Sequence, residues 1–384
     1  MPRPLRIAQV APPLERVPPR AYGGTERIVH ELGTELVRRG HEVTTFASGD
    51  SEVAGVLVAT VPEALRPSGY GGDPGPWMNA TVAAVLDRAS GFDLIHSHLE
   101  WFSPILARAA TVPVVSTFHG RLDDAWADQL LRGVPGLVAI SQNQADTHPD
   151  IEWAGVVHNG LTLDGAPFDR RRTEHLMFVG RVAPEKGIVE AIDIARRADR
   201  PIRIVAKVGT LPAEIAFHET VFLPAVKAAG SLVEWIGELP GPERDLLMAE
   251  SHAVLMPGSW PEPFGLVAIE ALACGTPVLA RRVGALPEII REGVDGFFGD
   301  DAIQLAFLVE RVGDLDRTAI RGSVLQRFSA ARMVDGYEAV YTRMLGEEGP
   351  GERPAGRTVA SDTVVGLDAL KTLRSVLTTS AKTA

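Results

Sequence analysis

Two glutamates eight residues apart, Glu262 and Glu270, frame the stretch Pro-Glu-Pro-Phe-Gly-Leu-Val-Ala-Ile-Glu-Ala-Leu-Ala-Cys-Gly-Thr-Pro at 261–277. Pro261 and Pro263 keep Glu262 out of a helix, and Gly265 allows a tight turn. Residues Leu266 to Cys274 are good helix formers, and Gly275 and Pro277 stop the run. Glu262 is therefore expected on a loop before a helix start, with Glu270 about one turn inside. The N–H groups of Gly265, Leu266 and Val267 have no acceptor within the helix, and such an end favours an anionic phosphate. A phosphate-binding helix start flanked by two carboxylates, each able to accept a hydroxyl hydrogen bond, suits a sugar nucleotide. The same spacing also describes a buried amphipathic helix with two surface acids, and spacing alone does not choose between the two.

Other residues could join this chemistry. Arg181 and Lys186 follow the first strand expected in the second half of the chain, with Gly180 and Gly187 bracketing the loop and a helix after it. Arg offers a fork for a diphosphate and Lys a point charge, and both oppose the negative charge growing on a departing diphosphate. A solvated basic loop is the plainer reading, but the ligand edge of an α/β sheet favours binding. Gly23-Gly24 lies between the first strand and its helix, where small residues let backbone N–H groups approach a phosphate; a glycine pair is also an ordinary turn. Neither Gly-x-Gly-x-x-Gly nor a Walker loop occurs, which argues against dehydrogenase and P-loop chemistry. His119 closes the strand Val114–Phe118 at a cleft edge. His96 and His98 share a strand face, as a metal pair would. No carboxylate or cysteine stands at ligand spacing, so they read as packed or hydrogen-bonded histidines, and no metal is expected. Asp123-Asp124 reads as a helix start, and the chain has no Asp-x-Asp triplet of the type metal-dependent glycosyltransferases use. No apolar pocket can be argued that would fit either motif glutamate for general-acid work.

The Glu262 to Glu270 spacing resembles the Glu-x7-Glu motif of the retaining glycosyltransferases of family 4. Pro-Pro-Arg-Ala-Tyr-Gly-Gly-Thr-Glu-Arg (18–27) is similar to that family's N-terminal glycine loop, in the Tyr-Gly-Gly-Thr-Glu form of a bacterial branch. Phe-Val-Gly-Arg-Val-Ala-Pro-Glu-Lys-Gly (178–187) resembles its Arg/Lys phosphate clamp. Thr-Phe-His-Gly (117–120), Ala-Ile-Ser (139–141), His-Asn-Gly (158–160) and Gly-Thr-Pro-Val (275–278) fit its linking segments. The likeness spans roughly 5–345. It implies a GT-B fold and metal-independent transfer of a hexose from a nucleoside diphosphate sugar to a hydroxyl acceptor, with no cofactor. Carried over residue by residue, it implies catalytic roles for His119, Arg181, Lys186 and Glu262. It implies donor contacts from Gly23, Gly24, Arg181, Lys186, Glu262, Phe264, Gly265, Leu266, Val267 and Glu270. Glu262 and His119 would meet the donor sugar and Glu270 the ribose, and the leaving diphosphate would take the acceptor's proton on the same face. A nucleotide-sugar epimerase on the same architecture is the enzymatic alternative, and a non-catalytic sugar-nucleotide-binding protein the other. Retention of Arg181, Lys186, Glu262 and Glu270 together argues against lost catalysis.

Composition sets outer bounds. With 384 residues, 45% hydrophobic and 23% charged, the chain should hold two domains with sizeable cores. A net charge of -11 argues against a general nucleic-acid binder. One cysteine, Cys274, allows no intramolecular disulfide, fits a reducing cytosol, and reads as a small buried apolar residue. The first residues lack a signal-peptide core, and no apolar run approaches a membrane span. Peripheral membrane contact needs only a local patch and stays open, as do the base, sugar, acceptor and oligomeric state.

The elements that must position these residues alternate between strand and helix periods. Strands are expected at Leu5–Ala11, Glu42–Ala47, Asp93–His98, Val114–Phe118, Leu137–Ser141 and Gly155–His158. A helix capped by Thr25 and ended by Gly40 would bury Ile28, Leu32, Leu36 and Val37. After a polar linker, strands recur at His175–Val179, Ile202–Val208, Leu232–Ile236, Ala253–Met256 and Val278–Ala280, with helices near Gly187–Ala198, Pro242–Glu250 and Leu266–Cys274. The expectation is an α/β protein with two Rossmann-like, doubly wound parallel sheets facing a cleft. Domain one covers 1–160 on the acceptor side and the linker 161–174. Domain two covers 175–345 on the donor side, and 346–384 is a disordered tail with a weak helix at Val364–Leu377. Loops 67–77, 99–103 and 121–134 would set acceptor choice.

Overall fold

The computed structural model describes residues 3–20, 23–169, 171–209 and 211–346. The expected tail, with its 364–377 helix, lies beyond them from residue 347 onward. The first sheet contains β1 (Arg6–Val10), β2 (Glu42–Ser48), β3 (Val56–Val61), β4 (Leu94–Ser97), β5 (Val114–Phe118), β6 (Leu137–Ala139) and β7 (Trp153–Val156), in the order β3-β2-β1-β4-β5-β6-β7. The second contains β8 (Leu176–Arg181), β9 (Ile202–Lys207), β10 (Val233–Gly237), β11 (Ala253–Met256), β12 (Val278–Ala280) and β13 (Gly296–Phe298), in the order β10-β9-β8-β11-β12-β13. Every strand pairing is parallel. Central strands such as β4, β5 and β12 are buried along their whole length, because helices cover both faces. The edge strands β3 and β10 are half-exposed.

In each sheet the strand order reverses between the first strand and its neighbour, at β1/β4 and at β8/β11. Ligands of open α/β sheets sit at such reversals, beyond the strands' C-terminal ends. Each stretch singled out for chemistry lies on one of these ends. Gly23-Gly24 follows β1, His98 follows β4, Lys186 follows β8, and Glu262 follows β11.

Two strands and several helices escaped the sequence pattern. β3 pairs with β2 in parallel across only the loop 49–55, without the intervening helix that marks a crossover. That loop fits because a Cβ at Gly55 would lie 2.0 Å from the Val43 carbonyl oxygen. β13 is three residues long and too short to show a period. Thr25 does not cap its helix. The helix runs Gly24–Arg38 with Gly23 at the cap position and no side-chain cap bond, so the glycine backbone itself forms the helix start. The segment expected as loop 67–77 is exposed up to Pro74, and a helix begins at Gly75.

The chain crosses between the sheets twice, and the crossings run side by side. The Leu161 N–H donates to the Phe328 carbonyl, and the Ala330 N–H to the Leu161 carbonyl, both at 3.0 Å. Leu161 and Leu163 are buried, so this stretch is packed rather than a free tether. After the second crossing the helix Ala330–Met344, capped by Ser329, lies across the first sheet. There Glu338 accepts from Arg39 (2.6 Å) and contacts His41 (3.0 Å), and Tyr337 and Tyr341 are fully buried.

The loops after β8 and β11 interlock through glycine. Gly187 has φ +72°, and a Cβ there would lie 2.6 Å from the Gly258 nitrogen. Gly187→Ala combines left-handed strain with a backbone clash and should cost roughly 2–3 kcal/mol in urea unfolding. Gly322→Ala meets open space on the helix Arg317–Arg327 and should be neutral or stabilising by about 1 kcal/mol. Equal stability of the Gly187 variant and wild type would refute the close packing.

Candidate active site

The helix Leu266–Ala273 begins at Gly265, which adopts φ +110° and has Leu286 so close that a Cβ would sit 2.9 Å from it. Glu262 lies on the preceding loop. Its carbonyl accepts from the Ala285 N–H at 2.9 Å, and Gly284 leaves room for that contact. The first turn of this helix faces the first turn of Gly24–Arg38 from the other sheet. A Cβ on Gly24 would touch Leu266 at 3.5 Å, and the Arg27 guanidinium bonds the Glu270 carboxylate. Two helix N-termini, each with unpaired N–H groups and a positive dipole end, thus meet between the sheets.

Glu270 is buried at 4% exposure, not a surface acid. It also accepts from Arg244 at 2.6 Å. Burial pushes its carboxyl upward, but Arg27 and Arg244 more than reverse this and hold it below its ordinary value. Lys186, on the short turn Pro184–Lys186, bonds the Glu262 carboxylate directly. Arg181, at the end of β8, bonds Glu214 and, at 3.0 Å, Glu185. The plainer reading of Arg181 and Lys186 is a solvated, exposed basic loop. Both are partly buried instead, because carboxylates from distant segments fold onto them. Lys186, Glu185, Met256, Gly258, Trp260 and Glu262 line a cleft of ≈ 330 Å³ open to solvent. From the first sheet, the Arg121 guanidinium stacks on the Trp260 ring, 4.3 Å from its centroid.

Phe264 departs from the sequence expectation. Its ring is buried against His158 and Phe328, so only its main chain can face a ligand. His119 stands half-buried after β5, its Nε2 2.9 Å from His98 Nδ1, and its low-dielectric surroundings push its pKa down to about 4. His96 and His98 are fully buried and hydrogen-bonded, as their reading as packed histidines anticipates. Asp124 holds the start of the helix Ala127–Leu131 by accepting from the Trp126 N–H at 2.8 Å. Cys274 is buried, with its thiol pushed up to about 12 by burial.

Sequence reasoning passed over Arg27, Arg244, Glu26 and Glu100. The first two act across 243 and 26 residues of chain, and no local signal marks such pairs. Glu100 accepts from the Gly120 N–H at 2.9 Å and so shapes the loop carrying His119.

Glu26 is the most unusual carboxyl of the group. It is 4% exposed in the first turn of Gly24–Arg38, beside Gly23. Burial pushes it up to about 7, with Glu15 and Glu100 adding to the rise and Arg66 opposing it. Its folded pKa is above its unfolded value, so the associated stability is complete below about 4.5 and lost as pH rises through about 7. Glu26→Gln removes that loss. Its melting temperature relative to wild type should rise between about pH 5 and about pH 8, by an amount corresponding to at most roughly 3 kcal/mol. A difference independent of pH would contradict the burial of an ionisable Glu26.

Comparison with known proteins agrees with this fold. A sequence profile described as Glycosyltransferase Family 4 matches residues 22–164, and one described as Glycosyl transferases group 1 matches 168–315. The D-inositol 3-phosphate glycosyltransferase of Mycobacterium avium is 31% identical over 350 residues, covering 76% of this chain and 81% of that protein. The glycogen synthase of Mycobacterium tuberculosis is 28% identical over 331 residues, covering 73% and 79%. Among solved structures, AviGT4, a glycosyltransferase involved in avilamycin A biosynthesis, superposes with a TM-score of 0.66 at 25% identity, over 90% of this chain and 99% of that one. Anabaena Alr3699/HepE, solved with UDP and glucose, gives 0.68 at 19% identity over 88% and 99%. The two doubly wound sheets are those of the GT-B fold, and the chain belongs to the family 4 glycosyltransferases.

Proposed function

We propose that this glycosyltransferase moves a hexose from a nucleoside diphosphate sugar to a hydroxyl acceptor, with retention of configuration and without a metal. One observation carries the reading: two helix N-termini from different sheets meet where Lys186 bonds Glu262 on the loop before one of them. The two helix starts and Lys186 suit a diphosphate, with Arg181 at the end of β8 as a further cation, and they would stabilise the charge that develops as the sugar leaves. In this reading the second sheet holds the donor and the loops of the first sheet take the acceptor. Lys186 exchanges its bond to Glu262 for a phosphate oxygen, which frees Glu262 for the donor sugar. Glu270, oriented by Arg27 and Arg244, accepts from the ribose. His119 bonds a sugar hydroxyl. The bond from the anomeric carbon to the diphosphate oxygen breaks, the acceptor oxygen bonds that carbon on the same face, and the acceptor's proton passes to the departing diphosphate.

A thermal-shift screen of uridine, guanosine and adenosine diphosphate sugars, run with excess EDTA, tests the proposal. One class should stabilise the chain by mass action. Lys186→Ala and Arg181→Ala should each lower donor affinity or turnover at least about tenfold, since a charged hydrogen bond contributes ~1.5–3 kcal/mol. Stabilisation or turnover that requires added magnesium or manganese would overturn the metal-independent reading. Conversion of the donor to another sugar nucleotide with no acceptor present would replace transfer by epimerisation.

The two motif glutamates should fail differently. Glu262→Gln, next to the reacting centre, should mainly lower turnover. Glu270→Gln should mainly weaken binding of both the sugar nucleotide and the free diphosphate, because ground-state contacts appear in affinity. Isothermal titration with the free diphosphate separates them, and the reverse pattern would exchange the roles.

A further inference from the structure

Behind His119 lies a stack of buried histidines that the reaction outlined above does not use. His98 is fully buried, and its Nδ1 is 2.9 Å from His119 Nε2. Its ring stacks on His96 with centroids 4.3 Å apart and planes at 28°. His96 is itself fixed at both nitrogens. Nδ1 meets the Tyr341 hydroxyl at 2.7 Å, and Nε2 meets the Thr117 hydroxyl at 2.8 Å. Thr117 also meets the Tyr337 hydroxyl at 3.0 Å. Both tyrosines come from the helix Ala330–Met344, so the last described helix locks this stack.

The contact between His98 and His119 needs one N–H and one lone pair. Two arrangements satisfy it. If His119 Nε2 carried the proton, His98 would carry its own on Nε2, and that atom is buried with no partner among the described residues. A buried N–H without an acceptor is the costlier error, because a donor proton loses all its hydration. Two protonated rings are excluded by burial, which pushes both histidines below their ordinary pKa. The proton of His98 therefore belongs on Nδ1, donated to His119 Nε2. The proton of His119 then belongs on its own Nδ1, the nitrogen away from His98.

We infer that His98 is a positioning residue that fixes His119 as the neutral Nδ1–H tautomer and so makes it a donor toward the site. The functional half of this inference rests on the reading that His119 meets the donor sugar; the tautomer half does not. The mechanism is the usual one for imidazole, in which the bond made by one nitrogen decides what the other can offer. An Nδ1–H donates to a sugar hydroxyl oxygen, whereas the opposite tautomer would present only a lone pair.

The test uses the full chain labelled with 15N-histidine. Two-bond proton–nitrogen correlation spectra distinguish protonated from bare ring nitrogens, and His119→Gln identifies the His119 signals. In wild type near neutral pH, His119 should be protonated at Nδ1 and bare at Nε2. His98→Asn keeps an amide donor near the Nδ1 position and should preserve this pattern, while His98→Leu should give mixed tautomers. Should His98→Leu fail to fold, His98→Gln takes its place, since its amide reaches the Nε2 position instead. An Nε2-protonated His119 in wild type, or an unchanged pattern in His98→Leu, overturns the inference. Turnover of the sugar nucleotide found in the thermal screen gives the second readout. His98→Leu should lower kcat at least about tenfold with donor KM within about threefold, and His98→Asn should restore most of it. A changed tautomer with unchanged kcat would uphold the role of His98 and remove His119 from the sugar contact.

Discussion

Helices that begin face to face repel each other, because each presents unpaired N–H groups and a positive end. The starts of Gly24–Arg38 and Leu266–Ala273 are brought together in this way, and much of the surrounding arrangement answers that repulsion. Glu270 lies buried within one of these helices, its carboxylate held by Arg27 and Arg244. Glu262 sits at the mouth and bonds Lys186. The bond from Arg27 to Glu270 then joins the sheets directly across the gap. A buried carboxylate would be costly alone, but two guanidiniums leave Glu270 more acidic than an ordinary glutamate. In the proposed function, the charges that hold the protein together are those a diphosphate sugar would meet, and binding would exchange partners rather than fill a bare positive site.

Close backbone packing supplies the precision. Gly187 and Gly258 let the loops after β8 and β11 interlock, and the Trp260 N–H donates to the Glu185 carbonyl at 3.3 Å. Lys186 is thereby held on the same surface as Glu262. On the first sheet, the polar stack under His119 depends on Tyr337 and Tyr341 from the last described helix. The return of the chain after the second crossing thus completes the first sheet, and an element late in the sequence fixes a residue of the candidate site far earlier in it.

Relatives at about 30% identity carry different names, as expected when chemistry resides in sites grafted on a common frame. The stretches 178–187 and 261–277 were recognisable in this chain by their resemblance to family motifs. The loops 99–103 and 121–134 are not. Among them, Arg121 reaches across to Trp260, and Trp126 remains largely exposed.

Much of the fold was legible because parallel strands buried on both faces must be apolar runs, and helices between them must show their period. Val114–Phe118, Ala253–Met256 and Val278–Ala280 were placed residue for residue. The start of Leu266–Ala273 was legible because Pro261, Pro263 and Gly265 restrict the backbone locally. β3 was hidden, since its connection lacks a helix, as was the helix Ala330–Met344, whose packing partner lies more than half the chain away. The sequence by itself determined which residues stand at the strands' C-terminal ends, because propensity and burial act over a few neighbours. Only the tertiary structure decided that Glu270 is buried between Arg27 and Arg244, that Lys186 bonds Glu262, and that His98 backs His119. Those contacts join segments distant in sequence, and they form only when two separately folded sheets bring their charged edges together.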